Sequence, residues 1–197
     1  MTRSKTIGVL ALQGDFEAHQ KALALAGAEA IQVRTADELE GVDGLVIPGG
    51  ESTTMLKLLG EEGLLDPIRS FGARRPIFGT CAGAILLATE VSHPAQLSLG
   101  LMDISVQRNG YGRQLDSHVT TSRPEDEFLQ RMGGGDLEMV FIRAPIIERV
   151  GPAVRVLIAH RGSPVLVEQG MHLAATFHPE LTADARVHRL FLAKTGA

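Results

Sequence analysis

The chain has 197 residues, 44% of them hydrophobic and 21% charged, with a formal net charge of −4 and a single cysteine. That length suits one domain with a sizeable core, the composition excludes a disordered chain, and the lack of a basic cluster interleaved with aromatics excludes a grip on nucleic acid. One cysteine rules out an internal disulfide and a CxxC metal knuckle, and no apolar run approaches the roughly 20 residues that span a bilayer, so we read residues 1–197 as a single cytoplasmic domain with a small ligand.

The apolar run in MTRSKTIGVLALQGD is too short for a secretory leader, and TIGVLAL reads instead as a first strand buried on both faces. DFEAHQKALALAG follows with Phe16, His19, Ala22, Leu23 and Ala26 at helical spacing, and Gly27 ends that helix. AIQVR is a second strand and GLVIPGG a third, and STTMLKLLGEEG opens on hydroxyl residues suited to capping a helix. DPIRSFGARR adds a helical turn or two, PIFGT is the fourth strand, and AGAILLATE is the next helix. Strand and helix alternate to about residue 90, which predicts an α/β fold with a three-layer, doubly wound, mostly parallel sheet.

Beyond that point LMDISVQRNGYGRQ, MVFIRAP, VRVLIAH, PVLVEQG and HLAATF are strand-rich with little helix between them, so antiparallel additions are expected. HRG separates two of them like a hairpin turn, RMGGGD reads as a flexible surface loop, and ADARVHRLFLAKTG returns to helical periodicity. There is no internal repeat and no linker that marks a domain boundary.

Cys81 stands in GTCAG, a GxCxG pattern between a strand and a helix, the thiol version of the GxSxG elbow. Small flanking residues permit a sharp turn, and a helix N-terminus favours thiolate by about 0.3 to 2 kcal/mol depending on burial. The plainer alternative is a small buried hydrophobe in a tight turn. Near the other end HLAATFHPEL closes a strand with His178 and Glu180 two residues apart, so in extended backbone both point to one side and the carboxylate can orient the imidazole. A surface histidine fixed by Pro179 is the competing reading; His19, His93, His118, His160, His172 and His188 lack that setting and read as mostly structural or solvated, with no metal-ligand spacing among them. PGGEST, residues 48–53, could be a simple turn with a helix cap, but its glycines also suit an oxyanion hole in which Gly50 pairs with Ala82, the residue after the nucleophile. It is neither a Walker loop nor a Rossmann fingerprint.

PGGEST, GTCAG and FHPEL, in that order, resemble the class I (triad) glutamine amidotransferases. GVLALQGDFEAH, RNGYGRQLDS (residues 108–117), FIRAP (141–145) and FHPELT narrow the likeness to the glutaminase subunits of pyridoxal 5′-phosphate (vitamin B6) synthase, over about residues 6–194. The resemblance implies hydrolysis of L-glutamine through a cysteine thioester, with ammonia passed to a synthase subunit in a hetero-oligomer, and no metal or organic cofactor. It places the triad on Cys81, His178 and Glu180, and glutamine contacts on Gly49, Gly50, Glu51, Arg108, Ile142 and Arg143. Gln13 matches a glutamine near the subunit interface and oxyanion loop. Arg108 or Arg143 would face the substrate's carboxylate and Glu51 its amino group. Four positions depart from the family pattern: Gly110 and Tyr111 where Ser and Phe are usual, Ala84 in place of a larger aliphatic, and His118 in place of Phe. A glutaminase for another synthase such as the imidazole glycerol phosphate one, a stand-alone cysteine hydrolase, and a catalytically silent regulatory module are the alternatives.

Overall fold

A computed structural model of the chain describes residues 5–109 and 117–196. Strands β1 (Thr6–Leu10), β2 (Glu29–Val33), β3 (Gly44–Ile47) and β4 (Ile77–Thr80) pair in parallel with β12 (His172–Ala175) in the order β2-β1-β3-β4-β12. On the far side β11 (Ser163–Gln169) and β10 (Arg155–His160) extend the sheet antiparallel to seven strands. The turn between them puts Arg161 at φ 50° and Gly162 at φ 81°, the positive pair that a two-residue hairpin requires, as HRG predicts.

Alternation along the strands divides the core into two layers of helix contact. Ile7, Val9, Val46 and Phe78 pack with Leu23 of α1 (Phe16–Leu25), Phe128 of α6 (Asp126–Met132) and Phe191 of α7 (Arg186–Lys194). Leu10, Leu45, Ile47 and Ile77 face Leu39 of α2 (Ala36–Glu40), Met55 of α3 (Ser52–Glu61), Phe71 of α4 (Leu65–Gly72) and Leu86 of α5 (Ala82–Leu87). Each such side chain, taken fully from water, contributes about 1.5–3 kcal/mol. The expected three-layer doubly wound sheet is therefore the observed one. Among the described residues no helix is long and apolar enough to cross a membrane.

Three local expectations change. AGAILLATE is not helical throughout: α5 stops at Leu87, and ATEVS is a strand, β5 (Ala88–Ser92), paired with β6 (Met102–Gln107), which also holds β9 (Ile146–Val150). The carbonyls of Leu86 and Leu87 accept from Leu99 and Leu101 at 2.7 and 3.0 Å, so tertiary partners replace the next helical turn. The second half also contains α6 and a ribbon of β7 (His118–Ser122) with β8 (Leu137–Phe141).

The third change concerns RMGGGD, which is a tethered loop rather than a loose one. Arg186 donates to the carbonyls of Gly133, Gly135 and Asp136 at 2.9–3.0 Å while Asp184 pairs with the same guanidinium. The three carbonyl bonds are exposed to solvent, which cuts each well below the about 1.5 kcal/mol of a buried charge-assisted bond, so Arg186→Ala is expected to cost about 2 kcal/mol in all, a fall in Tm of about 4–8 °C by calorimetry. An unchanged Tm would mean the tether contributes nothing.

Of the departures from the family pattern, Ala84 is fully buried in α5, and His118 stacks on Phe141 with ring centroids 4.9 Å apart, keeping an aromatic plate where Phe is usual. Gly110 and Tyr111 lie outside the described residues.

Candidate active site

In a doubly wound sheet the crevice lies outside the carboxyl ends of the strands. Here the ends of β1, β3, β4 and β12 deliver Gln13, Gly49–Glu51, Cys81 and His178 to one place. Cys81 has φ 49° and ψ −104°, left-handed backbone outside the usual range for a residue with a side chain. Its N–H donates to the Ala175 carbonyl at 2.8 Å, so pairing with β12 runs right up to the bend. A Cβ on Gly79 would sit 2.5 Å from the Gly83 carbonyl, and one on Gly83 would overlap the Ile47 carbonyl of β3. Both glycines of GxCxG are therefore steric necessities of the turn that lifts the thiol to the rim.

His178 follows β12, its N–H bonded to the Val140 carbonyl at 2.8 Å and its Nδ1 2.7 Å from Glu180 Oε1. The pairing is as expected, but its cause is not extended backbone. Pro179–Leu181 forms a 3₁₀ turn that folds the Glu180 carboxylate back onto the ring. Gly49 lies between the two halves of the site: a Cβ there would be 2.5 Å from His178 Cε1 and 3.4 Å from Cys81 Cβ, so imidazole and thiol flank one glycine. Nε2 is buried and closes no hydrogen bond among the described residues. Burial opposes a charged ring, yet the reach and negative charge of Cys81 and Glu180 outweigh it and raise His178 to about 10. That balance favours the protonated, imidazolium form of the ring.

The segment of residues 49–51, between β3 and α3, is clasped from the β1 side. Asp15 N–H donates to the Gly49 carbonyl at 3.3 Å, and Gln13 Oε1 accepts from Glu51 N–H at 3.0 Å. A side chain on Gly14 would overlap the Gly49 carbonyl, and one on Gly50 would overlap Gln13. Since C=O and N–H of a trans peptide point in opposite directions, the Gly49 carbonyl directed at Asp15 turns the Gly50 N–H away from that loop. Ala82 is the first residue of α5, buried beneath Cys81.

A cleft of about 150 Å³ opens beside the sulfur, lined by Gly50, Glu51, Cys81, Arg108, Ile142 and Arg143. A second opening of about 330 Å³, on the side of Gln13 and Asp15, reaches Cys81 and His178 as well. The Ile142 carbonyl lies 4.0 Å from Sγ, and Arg143 bends at φ 45°. Glu51, rather than the hydroxyls after it, caps α3: its carboxylate accepts from Thr53 N and Thr54 N at 3.1 and 2.6 Å and from Thr54 Oγ1 at 2.8 Å. Burial would raise this acid, but the Thr54 hydroxyl and the Thr54 and Thr53 amides outweigh it and hold it at about 2. Arg108 reaches the same carboxylate at 3.3 Å and Thr53 Oγ1 at 2.7 Å. The residues after Asn109 in RNGYGRQLD, 110–116, are outside the described part.

Gln13, Gly49, Gly50, Glu51, Cys81, Arg108, Ile142, Arg143 and His178 thus border these two adjoining openings, with Glu180 bonded behind His178 and Ala82 next to Cys81. The model of the SNO glutamine amidotransferase family matches residues 9–196. The chain belongs to that family. The pyridoxal 5′-phosphate synthase subunit PdxT of Solibacter usitatus is 58% identical over 96% of this chain and 99% of its own, and that of Koribacter versatilis 56% identical over 94% and 93%. A crystal structure of a glutamine amidotransferase superposes with a TM-score of 0.87 at 47% identity, covering 97% of this chain and 99% of the other. PurLQS from Thermotoga maritima, at 16% identity and a TM-score of 0.71 over 98% and 99% of the two chains, shares the fold.

One side chain of this amidotransferase escaped the sequence reading. His19, taken as structural or solvated, is wholly buried with Nε2 3.4 Å from Glu180 Oε2. Its place in the apolar stripe of Phe16, Leu23 and Ala26 pointed to burial, but nothing in the sequence pointed to Glu180 as its neighbour.

Proposed function

We propose that this chain, one amidotransferase domain from end to end, hydrolyses L-glutamine to L-glutamate and ammonia and delivers the ammonia to the synthase subunit that builds pyridoxal 5′-phosphate. The observation that carries the chemistry is the Cys81–His178–Glu180 constellation at the mouth of the cleft; the 58% identity to a PdxT supports the choice of acceptor. Cys81 thiolate attacks the side-chain amide carbon, forming a C–S bond as the carbonyl electrons move to oxygen. The Gly50 and Ala82 N–H groups receive that oxyanion, each donor worth about 3–4 kcal/mol. His178, carrying its proton on Nε2, gives it to the departing nitrogen; the C–N bond breaks and ammonia leaves a thioester. The now neutral imidazole takes a proton from water, whose oxygen displaces the sulfur as glutamate and restores the ion pair.

Glu51 and Arg108 set a negative and a positive group 3.3 Å apart at the cleft wall, a match for the ammonium and carboxylate of an α-amino acid. Arg143 and the Ile142 carbonyl border the substrate's side chain. A lone reactive thiolate suits the reducing cytoplasm.

Ammonia set free in neutral water becomes ammonium, which is no nucleophile, so chemical economy calls for a docked acceptor with an enclosed path. The test is to supply glutamine labelled with ¹⁵N in its side-chain amide to the chain mixed with the synthase subunit. Label is expected in pyridoxal phosphate, with turnover higher than for the chain alone. Unlabelled product, or equal glutaminase rates with and without the synthase subunit, would count against the coupling.

A further inference from the structure

Behind the triad stands a second set of buried polar groups to which the proposed chemistry assigns no role. His19 of α1, Thr80 at the end of β4 and His188 of α7 are all wholly buried, and Phe78 closes edge-on against both imidazoles. His19 Nε2 is 3.0 Å from Thr80 Oγ1 and 3.4 Å from Glu180 Oε2, and His19 Nδ1 is 3.1 Å from His188 Nε2. His188 Nδ1 has no partner among the described residues.

Buried as they are, both rings favour the neutral form: burial lowers His19, and burial together with its neighbour His19 lowers His188 to about 3. A neutral imidazole has one N–H, and two arrangements are open to the pair. If His19 carries its proton on Nδ1, its Nε2 lone pair faces the Glu180 carboxylate, and His188 must hold an orphaned N–H in an apolar wall. If His19 carries it on Nε2, that N–H faces Thr80 and Glu180, Nδ1 accepts from His188, and the group left over is a bare acceptor nitrogen. An unpaired buried N–H beside a repelled carboxylate is the costlier outcome, so the second arrangement prevails.

We propose that His19 is a positioning residue for the triad, presenting its Nε2–H to Glu180 Oε2 so that the carboxylate stays ionised with Oε1 aimed at His178. Glu180 Oε1 is bonded to His178 at 2.7 Å, while Oε2 is buried without a closed hydrogen bond among the described residues and has His19 Nε2 beside it at 3.4 Å, an electrostatic contact from a group that also bonds Thr80. The other titratable groups around this pair are Asp15, His188 and Cys81. The assignment rests on reading Cys81, His178 and Glu180 as a triad. It adds a donor whose removal would unsettle the carboxylate without touching substrate or thiol.

The test compares His19→Phe, which fills the space without a donor, with His19→Gln, which keeps an N–H near the Nε2 position. Two readouts are needed: the NMR titration of His178, and the rate at which iodoacetamide alkylates Cys81 at pH 7, which requires no glutamine and so stays informative even if the glutaminase reading fails. In His19→Phe the His178 titration should fall by about one pH unit and alkylation by about tenfold, with glutaminase loss in kcat rather than KM. His19→Gln should stay within about threefold of wild type. Equal losses in both variants, or none in His19→Phe, would overturn the assignment. Should His19→Phe fail to fold, ¹⁵N-histidine NMR of the wild type decides: neutral His19 with its proton on Nε2 is expected, and the Nδ1 tautomer or a charged ring would refute it.

Discussion

Replacing Cys81 with alanine is expected to lower glutaminase turnover by about 10⁵- to 10⁶-fold, the scale on which triad nucleophiles act as a unit with their base. The fold should survive, because Gly79 and Gly83 shape the turn and the Cys81 N–H bond to Ala175 is a backbone contact that alanine keeps. A second consequence separates chemistry from packing. His178 is raised from the ordinary 6.5 to about 10, so its contribution to stability is fully present below pH 6.5 and is lost as the pH climbs through 10. Without the sulfur, one of the two groups that raise it is gone. The dependence of Tm on pH between 6.5 and 10 should therefore be flatter in Cys81→Ala than in wild type. Retention of more than about a tenth of the turnover, or an identical pH profile of Tm, would remove Cys81 from the centre of the reaction.

The architecture was legible in the sequence wherever one local rule sufficed. Continuous apolar runs marked β1, β3 and β4, the helical stripe from Phe16 to Leu23 marked α1, and GxCxG marked the bend because its steric requirement is nearly local. Where distant partners decide, the reading slipped. ATEVS became a strand because Leu99, Leu101 and β6 were there to receive it, and RMGGGD is held by Arg186, some fifty residues on. His178 and Glu180 were paired for the wrong reason, since extended backbone and a 3₁₀ turn bring the same two residues together by different geometry. Helix α2 was missed although its signal was local: Thr35 and Glu38 form a capping box, a T-x-x-E pattern in plain view. The candidate site was legible as a set of loop residues at strand ends. His19 was not, because its partner Glu180 is distant in the sequence and an apolar stripe gives no hint of what a histidine within it touches.

Gly49→Ala is expected to cut kcat by about 10²-fold or more while leaving a folded protein, since a misplacement of about 1 Å at a reacting group carries that cost. Gly49 is absent from the positions of positive φ, so alanine meets no backbone penalty there. What it meets is the triad itself. The new methyl would stand 2.5 Å from His178 Cε1 and 3.2 Å from Nδ1, and the ring must move. Moving it breaks the 2.7 Å bond to Glu180 or withdraws Nε2 from the sulfur, and either change disarms proton transfer to the leaving nitrogen. The stability cost is that of mild overpacking, about 1–3 kcal/mol. Gly83→Ala supplies the contrast: its methyl would overlap the Ile47 carbonyl, backbone against backbone in the middle of the fold, so the loss there should appear in Tm and in the yield of soluble protein. Measuring kcat and Tm for both variants tests whether the two glycines divide their labour in this way. A Gly49→Ala enzyme with wild-type kcat would mean that His178 can yield without cost, and that the close packing of imidazole and thiol around this glycine is not what holds the triad in register.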